Sequence, residues 1–72
     1  MKQNKSGGDL ENQIKKMPEI RLRCLENHLY TAMYNLTNIK QYLDDGDLDA
    51  IMLKIALIYN MVGAEIDERR KK

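Results

Sequence analysis

The side chains best equipped for chemistry in this chain are one thiol, Cys24, one imidazole, His28, and a run of carboxylates, Asp44, Asp45, Asp47 and Asp49. An imidazole can pass protons near neutral pH, yet no candidate nucleophile stands at a defined spacing from His28. Cys24 has only Arg21 and Arg23 nearby to depress its pKa, and it reads as a small apolar residue rather than a reactive thiol. With a single cysteine and a single histidine there is no Cys/His cluster at ligand spacing, so no metal site is expected. The four aspartates resemble a calcium loop only in composition. They lack the twelve-residue ligand spacing and its closing bidentate glutamate, and turn and helix-cap chemistry explains them better. No glycine-rich phosphate loop, nucleophile elbow or His-Glu zinc motif occurs. The expectation is a protein that is not an enzyme and binds no cofactor.

What 72 residues can do without chemistry is limited by their surface. A chain of this length buries only about 60% of its unfolded surface, and small domains usually add disulfides, a metal or a partner. The first two are ruled out by the residues above, so a partner is expected. Twelve basic residues against eleven acidic ones imply no bulk attraction to nucleic acid or to an anionic membrane. The terminal Glu68-Arg69-Arg70-Lys71-Lys72 run reads as a solvated end rather than a phosphate-binding tail. No stretch of about 18 apolar residues exists to span a membrane, and the start has no apolar stretch of a signal peptide. A reducing cytoplasm is the expected compartment.

Residues 1–9 are polar, contain Ser6-Gly7-Gly8, and are expected to be a disordered lead-in to a domain over residues 10–70. Asp9 is placed to cap a short helical segment, Leu10 to Met17, with Leu10, Ile14 and Met17 on one face. Pro18 then either opens the next helix or kinks a continuous one. Leu22, Leu25, Leu29, Ala32, Leu36, Ile39 and Leu43 recur at spacings of three and four, which predicts one helix over about 18–44. Asp44-Asp45-Gly46-Asp47 interrupts it, with Gly46 suited to a left-handed position past the helix end and Asp47 to the next N-cap. So short a turn returns the second helix, about 48–69, against the first. The predicted fold class is all-α, an antiparallel helical hairpin of two main helices with a short N-terminal helical segment. Its expected seam sets Leu25, Leu29, Leu36 and Ile39 against Ile51, Ile55, Ile58 and Val62.

The second helix is apolar twice over. At about 100° per residue, Leu48, Ile51, Ile55, Ile58, Tyr59, Val62 and Ile66 share one face, while Leu53, Leu57, Met61 and Ala64 share the opposite one. The first stripe has the other helix as its neighbour, and the second has none within the chain. An apolar face of that kind marks an interaction surface. Tyr30 and Tyr34 add a weaker outward strip, since tyrosine suits an interface with a wet edge. These six residues, Leu53, Leu57, Met61, Ala64, Tyr30 and Tyr34, are the expected protein-binding site.

Leu10-Glu11-Asn12-Gln13, the long leucine helix, the Gly46-Asp47 turn and the run from Lys54 through Gly63-Ala64-Glu65-Ile66 resemble the small E-type co-chaperones of bacterial type III secretion needle subunits, the YscE/EscE group. The likeness spans about residues 10–67, and Pro18 departs from the family pattern. The resemblance implies a helical hairpin in the bacterial cytoplasm that stabilises a larger helical-repeat, TPR-like chaperone. Through that chaperone, the needle subunit would be kept unpolymerised. The outer stripes would equally pair in a homodimeric four-helix bundle, so a homo-oligomer is the alternative expectation for the chain alone. Two other readings come from different classes: a Rop-like homodimeric four-helix bundle that binds nucleic acid or is regulatory, and a ribbon-helix-helix repressor with residues 19–24 as its strand.

Overall fold

The computed structural model describes residues 6–71, and its regular structure there is entirely helical, with no strand among the described residues. Three helices follow in order: α1 (Ser6–Lys16), α2 (Glu19–Lys40) and α3 (Gly46–Arg70). Because α2 starts at Glu19, residues 19–24 are helical, as the leucine spacing requires, and the strand of a ribbon-helix-helix fold is absent from that segment.

Each break has a local cause. α1 begins at Ser6, so residues 6–9, which composition assigned to the lead-in, are helical; residues 1–5 lie outside the described residues. Asp9 is therefore not a cap. It sits within the helix, near the N-terminus where a negative charge is favourable, and its carboxylate accepts a 3.1 Å hydrogen bond from Gln13 Nε2. Pro18 occupies the N-cap of α2 with φ −59° and ψ 150°. Its missing N–H costs nothing there, and its carbonyl accepts the first helical bond, 2.9 Å from the Leu22 N–H. Pro18 thus separates two helices instead of kinking one. α2 stops at Lys40, short of the expected Asp44.

The turn differs from its sequence reading. Asp45, not Asp47, caps α3: its backbone is extended, at φ −138° and ψ 135°, and its Oδ1 accepts a 3.2 Å bond from the Asp47 N–H. Gly46 is the first residue of the helix and does not hold a left-handed conformation; a β-carbon there would meet nothing within 4 Å. Several aspartates can cap in this segment, and the choice of Asp45 leaves Asp47 and Asp49 in the first turn, where the helix dipole favours them. At the same end Lys40 Nζ pairs with Asp49 Oδ1 at 2.6 Å. The hydrogen bond to Asp49, then its charge, raises the Lys40 pKa above the ordinary 10.5. A raised lysine pKa stabilises the fold below its unfolded value and loses that contribution as pH climbs past it. Lys40 therefore carries its charge toward Asp49 at neutral pH.

α3 carries the packing, since both α2 and α1 lie against it. Ile14 from α1, Leu22 and Leu29 from α2, and Val62 and Ile66 from α3 form the buried core, with Leu10, Met17, Leu25, Ile55, Ile58, Tyr59 and Met61 packed around it. The expected seam is correct at Leu29 and Val62 and wrong at its other end, where Ile39 is 40% and Ile51 50% exposed. The reason is α1. It reaches only the C-terminal half of α3, so three apolar faces meet there, whereas near the turn two helices alone leave their outer flanks in water. The radius of gyration, 14.1 Å, exceeds the roughly 11 Å of a compact chain this long.

Two outcomes follow from this uneven burial. Leu22 is fully buried, and Leu22→Ala is expected to cost about 2–5 kcal/mol, against about 1 kcal/mol or less for Ile51→Ala. Urea melts followed by circular dichroism would show the contrast, and equal losses would mean that burial is shared along the whole helix pair. Gly46→Ala should leave the midpoint unchanged or raise it by about 0.5 kcal/mol. A loss of more than about 1 kcal/mol would restore the left-handed assignment.

Candidate protein-binding surface

The outer face of α3 follows from its own periodicity. With Val62 and Ile66 turned into the core, residues half a turn away must face outward, and Leu57 lies opposite Ile66. Leu53 is 74% and Leu57 56% exposed. Together with Ala50, Ala56, the stem of Lys54 and Asn60 they line a shallow, mostly apolar depression.

One turn further on, the same stripe changes character. Met61 is half-buried and packs on the core cluster, so it is not wholly without a neighbour in the chain, as its helical position suggested. Ala64 stays exposed. Both border an open groove of about 340 Å³ between α1 and α3, with Ile14 as a further apolar wall and Glu11, Lys15, Glu65 and Glu68 around it. The four α3 residues singled out by periodicity therefore share one face, divided into an open half at Leu53 and Leu57 and a half flanked by α1.

Tyr30 and Tyr34 are the two expected site residues on α2. Both are more than half exposed. The Tyr30 ring leans on Tyr59, with centroids 6.3 Å apart and planes inclined by 42°, a common tilted aromatic arrangement. Tyr30 shares a second shallow groove with Ile20, Cys24 and Tyr59, and none of the residues around Leu53 and Leu57 borders it. Ile20, 75% exposed, was absent from the expected site, although its position off the Leu22 stripe was visible in the spacing.

The residue that sequence reasoning missed entirely is Arg69. Its Nη2 donates to the Met17 carbonyl at 2.8 Å and the Lys15 carbonyl at 3.0 Å, and its Nε to Glu65 at 2.9 Å. These carbonyls close α1, whose last turn has no intrahelical donors, so Arg69 fastens α1 beside the groove. Only the charge-rich 68–72 run hinted at it, and charge alone does not reveal which arginine turns back onto a backbone. Cys24 is exposed and unpaired, and no group of three or more metal-ligating side chains occurs among the described residues. No described helix is long and apolar enough to cross a membrane. No protein family, curated protein or solved structure matches this chain.

Removing the guanidinium should release α1 selectively. Hydrogen bonds to a charged group contribute roughly 1.5–3 kcal/mol, and partial exposure of Arg69 reduces this. Arg69→Leu is expected to speed hydrogen exchange in α1 several-fold while α2 and the C-terminal half of α3 keep their protection. Unchanged α1 exchange would show that Ile14 and Leu10 hold the helix without it.

Proposed function

We propose that this chain is a small co-chaperone: an antiparallel helical hairpin that acts by binding, without catalysis, and stabilises a larger helical-repeat chaperone of a type III secretion needle subunit in the bacterial cytoplasm. The observation that supports a binding role most strongly is the pair Leu53 and Leu57. They stand in water on a helix whose other face already carries the core, and nothing in the described chain covers them. A helix apolar on two faces is a buried element that lacks one of its neighbours. The resemblance of residues 10–67 to E-type co-chaperones supplies the identity of that neighbour, and a helical-repeat protein offers the concave helical surface that such a face fits.

Co-expression with a helical-repeat protein encoded beside it tests the proposal. Wild type is expected to copurify as a stable complex. Leu57→Asp should abolish it, because a central interface truncation alone costs about 2 kcal/mol or more, and an unpaired buried charge costs more still. Asn35→Asp, at an exposed position on α2, should bind as wild type does. Full copurification of Leu57→Asp would remove the α3 face from the interface.

A further inference from the structure

We propose that, in the absence of that chaperone, the outer face of α3 pairs with the same face of a second copy of this chain, antiparallel and about a two-fold axis through Leu57; this rests on the reading of Leu53 and Leu57 as an interface. The stripe is a palindrome in its side-chain sizes. Four residues before Leu57 is Leu53 and four after it is Met61; seven before is Ala50 and seven after is Ala64. A two-fold axis at Leu57 therefore sets leucine against methionine and alanine against alanine, with Leu57 meeting its own copy. Isologous contacts need this self-complementarity, and paired alanines let two helices approach closely at both ends of the contact.

The groove beside α1 gives the pairing its depth. In this register Leu53 of the second copy lies opposite Met61, at the mouth of the groove lined by Ile14, Met61 and Ala64. Leu53, the more exposed of the two leucines, thus meets that groove once for each copy. Charge agrees with shape. Lys54 is exposed and makes no ion pair among the described residues. In the pair it arrives next to Leu53, facing a rim that holds Glu11, Glu65 and Glu68. The open half of each stripe is covered by the α1-flanked half of the other, and among the described residues nothing covers Leu53 and Leu57 within one copy.

Cysteine cross-linking reads the register directly, in a Cys24→Ser background so that the exposed native thiol does not interfere. Leu57→Cys should oxidise to a covalent dimer, because the two thiols meet at the axis. Leu53→Cys should not, since the same residue in the two copies is then about 12 Å apart along the helices at 1.5 Å per residue, beyond disulfide reach. Wild type should sediment largely as a dimer at about 100 µM, as a pair with a Kd of about 10 µM or below would, and Leu57→Asp as a monomer. A monomeric wild type, or Leu53→Cys cross-linking as readily as Leu57→Cys, overturns the pairing. If wild type is monomeric while Leu57→Asp still loses the chaperone, the self-pairing fails and the proposed function stands. If wild type is a dimer and Leu57→Asp copurifies with the chaperone undiminished, the pairing stands and the chaperone interface lies elsewhere.

Discussion

Leu22 and Leu29 reach Val62 and Ile66 at one end of the molecule, and the remaining structure depends on that contact. These four side chains join α2 to α3, and Ile14 completes the cluster by bringing in α1. Among the described residues five are buried, a small core, so each contributes a large share of a stability that is marginal in any domain this size. The turn end has no comparable cluster. There the chain relies on local devices: the Asp45 cap, the Lys40–Asp49 pair, and the intrinsic helicity of two long segments.

A consequence for α3 is that its two faces have different tasks. The face bearing Val62 and Ile66 is satisfied within the chain, and α1 is fastened alongside by Arg69. The face bearing Leu53 and Leu57 is exposed, with no neighbour among the described residues. α1 covers the flank of Met61 and stops, because eleven residues make a helix of only about 16 Å against the roughly 37 Å of α3.

Much of this was legible in the residues. The three-and-four spacing placed Leu29 and Val62 in the core and Leu53 and Leu57 outside it, because helical periodicity is a local property. What was not legible depends on a third element. Ile39 and Ile51 have the same spacing as their buried neighbours, and only the position of α1 distinguishes them. Met61 falls on the outer stripe by angle, yet α1 draws it toward the core. The turn failed for a different reason: Asp44, Asp45 and Asp47 are chemically equivalent as caps, and the choice among them decides whether Gly46 lies before the helix or inside it. Arg69 was invisible because its partners are backbone carbonyls more than fifty residues away.

The central claim is that the chain on its own takes part of its stability from a second copy of itself seated on α3. The dependence of the thermal midpoint on protein concentration tests it most directly, since association raises the midpoint by mass action and an isolated fold does not respond. Across about a hundredfold range of concentration the account predicts a midpoint that climbs by several degrees, by up to about 2.7 kcal/mol of linkage. A sharp, reversible transition at the same temperature throughout that range would contradict it, and would mean that the five-residue core suffices alone.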